Sequence, residues 1–217
     1  MNTEFSDIID RFISAEIPLD ENRCELMNEM IVFLQDYCNK VNLTAIRDRD
    51  GIIEKHLIDS ILPLKLWEVP EGVRCLDIGT GAGFPAIPMM IYRRDLKFTL
   101  LDSQRKRTDY LSLLTEKLGL KAEIIHGRAE ELGRKSDYKG KYGMVTARAV
   151  ADLSTLIKYA VPFLKNGGVF LAMRGSKEEM DEGVVKTVAK VGLEVEDQIC
   201  YELPCGDGRR LIVFRKS

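Results

Sequence analysis

The chain has 217 residues, of which 45% are apolar, and a formal net charge of −2 at pH 7. These values are typical of one globular domain with a modest extension and exclude a polycation, so any contact with nucleic acid requires a local basic patch. Five scattered cysteines without a CxxC pair and only two histidines exclude a disulfide scaffold, a zinc ribbon and a histidine-rich metal site, and we expect no metal.

Residues 1–70 are predicted to form a helical extension. The segment begins with the acidic sequence MNTEFSDIID, which lacks the features of a targeting signal. Apolar residues then recur at helical spacing in three stretches, near residues 8–13, 26–37 and 52–64. No apolar run reaches the length of a membrane helix, so we expect a cytoplasmic protein. A turn-forming stretch at residues 69–72 ends the third helix.

Residues 71–217 alternate between short apolar runs and helical patterns, which predicts one α/β domain. The candidate helices include residues 106–118 and 153–164, and the candidate strands are residues 74–78, 98–101, 122–125, 143–146 and 169–173. Alternation of this kind predicts a parallel sheet covered on both faces. Two further strands, residues 193–201 and 210–215, are separated only by turn-forming residues and should pair as an antiparallel hairpin. A mostly parallel, seven-stranded Rossmann-like sheet with such an ending is typical of class I methyltransferases.

A glycine-rich loop follows the first predicted strand, in the sequence LDIGTGAGFPAIP at residues 76–88. Glycine permits close approach of a ligand to the backbone, so we assign the binding of a small ligand to Gly79, Gly81 and Gly83, together with Asp77 at the strand end. The dinucleotide motif G-x-G-x-x-G/A requires a small residue where this chain has Phe84, which disfavours a nicotinamide or flavin cofactor. A tight β–α turn without a ligand is the remaining alternative.

An acidic residue, Asp102, ends the next strand about twenty residues beyond the glycine loop. An acid at this position can accept hydrogen bonds from both ribose hydroxyls of an adenosine, and it can also cap the helix that follows. Glu130, in the turn after the third strand, is a second candidate near the adenine, with a solvated acid at a helix start as the alternative.

The loop after the fourth strand excludes one class of methyltransferase, and the cysteines disfavour another. Residues 146–151 (TARAVA) lack the polar-Pro-Pro-aromatic tetrapeptide of enzymes that methylate exocyclic amines. Cys205 follows a proline, as in enzymes that use a cysteine nucleophile, but we place it in the terminal hairpin, away from the strand ends that hold the cofactor.

Six sequence blocks together resemble the bacterial ribosomal RNA small subunit methyltransferase G (GidB) family. The blocks follow in order from about residue 40: NLTAIRD at 42–48, KHLIDSI at 55–61, the glycine loop, LLDSQRKR at 100–107, GRAEE at 127–131 and TARA at 146–149. The resemblance implies methylation of guanine N7 in the 530 loop of 16S ribosomal RNA, with S-adenosylmethionine as methyl donor. It also implies contacts to the donor at Gly79, Phe84, Ala129, Glu130 and Arg148, with an apolar side chain at Phe84 packing on the adenine.

Basic residues near the predicted strand ends are the candidates for RNA contacts, because ligands bind at those ends and phosphates require cations. We select Arg47, Arg105, Arg107 and Arg174, and we expect Arg148 to position the target base beside the cofactor. His56 and Asp59 can face the same cleft, or His56 can be a satisfied packing residue. No general base is expected.

The expected partner is 16S ribosomal RNA or the small ribosomal subunit, bound by a monomer. Two other classes of function stay open at this stage. One is a methyltransferase with the same core that acts on a small molecule or a protein. The other is a ribosome-assembly module that binds S-adenosylmethionine without catalysis.

Overall fold

The computed structural model describes residues 5–39, 41–148, 151–178 and 180–217. Its N-terminal part is helical, as predicted, with α1 at Ser6–Ser14 and α2 at Glu21–Cys38. The α2 helix begins after Asp20, whose carboxylate accepts a hydrogen bond from the backbone N–H of Arg23 and so satisfies one of the free donors of the first turn.

The third predicted helix is present but changes its winding. It comprises α3 (Arg49–Ile52), a π-helical segment (Ile53–Ile58) and α4 (Asp59–Leu66). Periodicity at the sequence level does not distinguish these windings, because the apolar positions remain on one face. π-helical turns inside α-helices occur frequently at functional sites. Here the π segment carries Lys55 and His56, and α4 begins with Asp59.

All seven strands form one sheet with the order β3-β2-β1-β4-β5-β7-β6. Their bounds are β1 Arg74–Ile78, β2 Lys97–Asp102, β3 Glu123–His126, β4 Tyr142–Arg148, β5 Leu164–Gly175, β6 Leu193–Glu202 and β7 Gly208–Lys216. Strands β1 to β5 are parallel, whereas β7 is antiparallel to both β5 and β6. The prediction of a mostly parallel sheet that ends in an antiparallel hairpin is confirmed.

Five described helices follow α4, namely α5 Ala86–Tyr92, α6 Arg105–Lys117, α7 Ala129–Leu132, α8 Leu153–Ala160 and α9 Glu182–Val191. The prediction that one helix runs over residues 153–164 is wrong at its end, since α8 stops at Ala160 and β5 already begins at Leu164. Pro162 explains this end, because proline lacks the N–H that a helix interior requires.

Two hydrophobic clusters cover the two faces of the sheet. One joins α1, α2 and the π segment to α5 and α6, through residues such as Phe12, Met30 and Tyr110. The other joins α8 and α9 to the opposite face, through residues such as Leu156 and Val188. The N-terminal helices therefore share a core with the helices on one face of the sheet. None of the described helices has the length and apolarity needed to span a bilayer.

Candidate active site

The glycine loop follows β1 at the sheet edge where the parallel strands end, next to the position where the strand order reverses between β1 and β4. Crevices at such positions are the usual ligand sites of open α/β sheets. Gly79 and Gly81 have φ angles of 71° and 59°, a region that favours glycine. A Cβ atom added to Gly81 would meet only the Gly79 carbonyl oxygen, at 3.8 Å, so the space in front of this residue is open.

Gly83 differs from the other two glycines of the loop. A Cβ atom at this position would lie 2.8 Å from Cγ1 of Ile87 and 3.4 Å from Cε of Met30, both in the core. The missing side chain of Gly83 therefore allows the loop to pack on α2 and α5, and a contact between the Gly83 backbone and a ligand stays a prediction.

The Asp102 carboxylate is buried beside the glycine loop and both of its oxygens accept backbone hydrogen bonds. Oδ2 accepts from the Gly81 N–H at 2.9 Å, and Oδ1 accepts from the Gln104 N–H at 2.8 Å. The predicted bond to the start of the next helix thus exists, although Gln104 is the residue that precedes α6. Each carboxylate oxygen can accept further bonds, so these contacts orient Asp102 and leave it able to bind hydroxyl groups.

A cavity of about 200 Å³, here called the Asp102 cavity, lies between the ends of β1, β2 and β3. Four residues assigned to the cofactor from the sequence line it, namely Gly79, Asp102, Ala129 and Glu130. Its other walls come from Ile78, Leu101, Ser103, Gly127, Arg128, Ala151 and Tyr159. The walls combine apolar side chains with two carboxylates, which suits a heterocycle attached to a polyol.

Asp77 is fully buried at the end of β1 and has one oxygen without a partner. Its Oδ1 accepts a hydrogen bond from the Thr146 hydroxyl at 2.8 Å, whereas Oδ2 has no hydrogen-bond partner within the described residues. Burial raises the pKa of this carboxyl to about 7, against the lowering effect of the Thr146 hydroxyl. An unpartnered oxygen of this kind is costly unless a ligand supplies a donor.

The raised pKa of Asp77 makes folding stability depend on pH. The folded state holds this proton from pH 3.8 to about 7, so the contribution of Asp77 is full below pH 3.8 and declines as pH rises. We compare the free energy of unfolding of Asp77→Asn with that of the parent at each pH. The variant minus parent difference should be more positive at pH 8 than at pH 5 by roughly 2 kcal/mol, because only the parent loses stability as Asp77 ionises. Urea unfolding at both pH values measures this difference, and an unchanged difference would contradict the raised pKa.

A second cavity of about 780 Å³, the Arg148 cavity, lies on the other side of the end of β4. Ala151 lines both cavities, so they adjoin at this point. The walls of the Arg148 cavity include four cationic residues and three acidic residues. Its lining residues are Ile46, Lys55, His56, Asp59, Arg148, Ala151, Asp152, Met173, Arg174, Gly175, Glu178 and Arg209.

The Arg148 guanidinium is held from three directions at the end of β4. One terminal nitrogen donates to Asp59 Oδ2 at 3.0 Å and to the Lys55 carbonyl at 3.1 Å, and the other lies 3.1 Å from His56 Nδ1. Its carbon lies 5.2 Å from the ring centre of Phe84, within range of a cation–π contact. Arg148 therefore sits in one orientation at the wall of the cavity, as expected of a positioning residue.

His56 combines both roles that the sequence left open, since it faces the cavity and is also satisfied. Burial, with the nearby Arg148 charge as the next cause, lowers the pKa of His56 to about 3, so the ring is neutral at physiological pH. We assign the proton to Nε2, which then donates to the Thr44 hydroxyl at 2.9 Å, while Nδ1 accepts from Arg148. The ring supports Arg148 as an acceptor.

Phe84 lies under His56 and Arg148. Its ring stacks on the imidazole with centres 4.4 Å apart and an interplanar angle of 23°, and the side chain is buried. The Asp102 cavity has no wall contributed by Phe84. The ring lies against His56 and Arg148 instead of forming a wall of the Asp102 cavity, so packing of this side chain on an adenine stays a prediction.

The four arginines predicted to contact RNA have different surroundings. Arg47 is exposed, and Arg105 is exposed with a pair to Asp109 one turn along α6. Arg107 is instead directed at Asp102, 3.6 Å away, which places it beside the Asp102 cavity. Arg174 is buried, donates to the Ala151 carbonyl at 2.8 Å and forms an ion pair with Glu178. The burial of Arg174 and its pairing with Glu178 disfavour a role as a free RNA-binding cation, and its contact with RNA stays a prediction.

The C-terminal hairpin contributes site residues that the sequence analysis missed. Gly175, at the end of β5, pairs with Arg209, so the turn before β7 lies at the same sheet edge as the cofactor loop. The expectation that this turn, with Cys205, lies away from that edge is therefore wrong. Cys205 is an exposed free thiol, while Arg209 and Tyr201 reach Asp59. The antiparallel pairing, which was predicted, was the signal that could have revealed this placement.

The loop after β4 and the possibility of a metal site remain to be described. Ala149 and Val150, in the loop after β4, lie outside the described residues. Over the described part of the chain, no group of three or more histidine, cysteine, aspartate or glutamate side chains is arranged to hold a metal ion.

Comparisons with known proteins agree with this geometry. Residues 23–201 match the family model GidB, described as rRNA small subunit methyltransferase G. The chain is 40% identical to the ribosomal RNA small subunit methyltransferase G of Lactococcus lactis subsp. lactis, over 96% of this chain and 90% of that protein. It is 41% identical to the protein of the same name from Lactobacillus delbrueckii subsp. bulgaricus, over 99% of this chain and 90% of that protein.

Solved structures of methyltransferases share the fold. A methyltransferase from Pyrococcus furiosus aligns with a TM-score of 0.62 and 17% identity, over 88% of this chain and 98% of that chain. A SAM-dependent methyltransferase from Aquifex aeolicus aligns with a TM-score of 0.60 and 19% identity, over 78% of this chain and 95% of that chain.

Proposed function

The chain belongs to the rRNA small subunit methyltransferase G family, and we propose that it transfers the methyl group of S-adenosylmethionine to a guanine N7 in the 530 loop of 16S ribosomal RNA. The observation that supports this most is the pair of adjoining cavities at the end of β4. The smaller has the chemistry for an adenosine, and the larger is polar and wide enough for a nucleotide taken out of its stack.

The residues around the glycine loop fit the methyl donor. Asp102, Glu130 and the apolar wall at Ile78 suit the ribose and adenine, while the open space at Gly81 admits a ligand close to the backbone. Asp77 is fully buried and lines neither cavity, so a contact between its unpartnered oxygen and the donor stays a prediction. When bound, S-adenosylmethionine supplies an electrophilic methyl group on a sulfonium.

Binding of the methyl donor is predicted to depend on Asp102. Asp102→Ala removes a charged acceptor and also frees the Gly81 N–H that the carboxylate holds, so we expect binding to weaken by about 1–3 kcal/mol. Calorimetric titration with S-adenosylmethionine measures the change. Glu123→Ala, which removes a carboxylate from β3 away from this cavity, is the control and should bind as the parent does. Equal affinity in both variants would contradict the assignment.

Guanine N7 requires little chemical assistance from the protein. Its lone pair is free at neutral pH and it carries no proton that a base must remove. The residues of the Arg148 cavity then have to hold the base, orient it and limit water, and positioning of this sort can lower a barrier by about 7–11 kcal/mol in favourable cases. Neutral His56, bound to Thr44 and Arg148, has no free basic nitrogen, which agrees with a role in positioning.

The expectation that no general base acts in the reaction predicts a flat pH profile. Because the pKa of His56 is about 3, this residue does not titrate between pH 6 and 9. With saturating RNA and methyl donor, we expect the single-turnover rate to vary by less than about threefold over this range. Rapid-quench measurements at fixed ionic strength test this. A rate that rises tenfold per pH unit and loses that slope in one side-chain variant would reveal a general base.

The proposed function is tested by mapping the modified nucleosides of 16S ribosomal RNA after incubation with the protein and S-adenosylmethionine. We expect one 7-methylguanosine, located by mass spectrometry in a fragment that contains the 530 loop, with naked RNA and small subunits compared as substrates. Methylation of a different nucleoside would change the assigned target. Binding of S-adenosylmethionine without any methylated RNA would instead favour a non-catalytic module or a different acceptor.

A further inference from the structure

A buried carboxylate outside the cofactor loop connects three separate parts of the chain. Asp59, the first residue of α4, is 3% exposed. Its Oδ2 accepts from Arg148 at 3.0 Å, at the end of β4. Its Oδ1 accepts from the Tyr201 hydroxyl at 3.2 Å and lies 3.4 Å from Nε of Arg209, both on the C-terminal hairpin.

Stability alone does not account for this arrangement. Burying a carboxylate with its cationic partners has a desolvation cost that often equals or exceeds the attraction between the charges, so apolar residues would serve packing as well or better. Asp59 also lines the Arg148 cavity, together with both arginines that it contacts. A shared carboxylate restricts both guanidinium groups to fixed positions on one cavity wall.

The π-helical segment directs further acceptors at the same guanidinium. It comes immediately before Asp59 and supplies the Lys55 carbonyl and His56 Nδ1, each 3.1 Å from a terminal nitrogen of Arg148. Four groups therefore contact the Arg148 guanidinium. They are the Lys55 carbonyl, the His56 ring, the Asp59 carboxylate and the Phe84 ring. The side facing the cavity is left to meet a substrate.

We propose that Asp59 is a positioning residue that fixes the Arg148 guanidinium at the wall of the Arg148 cavity and connects it to the C-terminal hairpin through Tyr201 and Arg209. This inference rests on the proposed function for its kinetic consequences only. The restraint that Asp59 imposes on Arg148 is a property of the free protein and can be measured without a substrate.

The kinetic test compares Asp59→Asn in two backgrounds. In the parent background we expect single-turnover transfer to 16S ribosomal RNA to slow about 10- to 100-fold, with the dissociation constant of S-adenosylmethionine within threefold of the parent value. In the Arg148→Ala background, adding Asp59→Asn should slow the transfer rate by less than a further threefold, because the residue through which Asp59 acts is absent. An equal loss in both backgrounds, or no loss in the first, overturns the proposal.

Two further variants address folding. Asp95→Asn disrupts a carboxylate–arginine pair with Arg93 that is remote from both cavities and should leave transfer unchanged. Tyr201→Phe keeps the ring and removes one donor to Asp59, so it is a milder change than the loss of the carboxylate. We expect it to slow transfer about threefold to tenfold, again only when Arg148 is present. If Asp59→Asn does not fold, this variant decides the question by the same comparison.

The substrate-independent test uses ¹⁵N-arginine-labelled protein. A guanidinium held at both terminal nitrogens rotates slowly, so Arg148 should give resolved terminal N–H signals, identified by their loss in Arg148→Ala. We expect these signals to broaden or collapse in Asp59→Asn and to persist in Asp95→Asn. Persistence in Asp59→Asn overturns the proposal. A parent protein that shows the resolved signals but methylates no RNA would instead overturn the proposed function.

Discussion

Gly81→Val is expected to abolish binding of S-adenosylmethionine, with an affinity at least 100-fold below that of the parent. The valine side chain would extend into the open space in front of the loop, where the nearest atom to an added Cβ is the Gly79 carbonyl oxygen at 3.8 Å. Because nothing in the protein fills this space, the methyl groups would exclude a ligand instead of clashing with the fold. Isothermal titration calorimetry measures the loss directly.

The positive φ of Gly81 adds a second effect that requires a control. At φ 59° a β-branched residue is strained by about 1–3 kcal/mol, which lowers thermal stability irrespective of any ligand. Gly72 has a φ of 67° and also has no atom near an added Cβ, but it lies in the turn before β1, at the opposite edge of the sheet. Gly72→Val should therefore lose similar stability and bind the ligand normally. Normal binding by both variants would mean that the loop is not the site.

Arg148→Ala is expected to reduce single-turnover methyl transfer about 100-fold, the scale observed when one oriented donor is removed from an active site. Its guanidinium is fixed by Asp59, Lys55 and His56 at the wall of the Arg148 cavity. The loss should appear in the rate at saturating substrate. Arg148→Lys should transfer the methyl group less than tenfold faster than Arg148→Ala, because an ammonium cannot reproduce the planar contacts of a guanidinium.

Thermal unfolding separates this role from a structural one. Asp59 keeps Tyr201 and Arg209 as partners after Arg148 is removed, so we expect the midpoint to shift by only a few degrees. Arg215→Ala is the control: this arginine pairs with Glu196 and donates to the Gly167 carbonyl, away from the Arg148 cavity. It should alter stability without altering transfer. An Arg148→Ala variant that unfolds early but retains its specific activity would make Arg148 a structural residue.

Local patterns in the sequence were sufficient for the elements and their pairing. Alternation of β and α segments predicted the parallel strands, and the turn-rich stretch between the last two strands predicted the hairpin, since both depend on short-range periodicity and turn chemistry. The position of Asp102 beside the glycine loop was also predictable from the sequence, because the ends of neighbouring parallel strands lie at one edge of the sheet. The end of α8 and the start of β5 were misplaced, although Pro162 was a visible signal.

The direction of side chains was decided only by the tertiary structure. Gly83 faces Ile87 and Met30, and Phe84 lies under His56, because packing of the loop on α2 and the π segment sets their orientation. No periodicity encodes such contacts between distant segments. The pairing of charged side chains is likewise decided by the fold. The sequence predicted that Arg174 and Arg107 are free cations, but each has a carboxylate partner in the folded chain.

The sequence by itself determined the family and the sheet, because these follow from local patterns and from blocks of residues in a fixed order. The tertiary structure decided which charges are available and how Arg148 is held. Its partner Asp59 lies 89 positions earlier in the chain, and Tyr201 lies 142 positions after Asp59. A hydrogen bond depends on distances of about 3 Å and on direction, and only the packed sheet and helices bring such remote residues within that range.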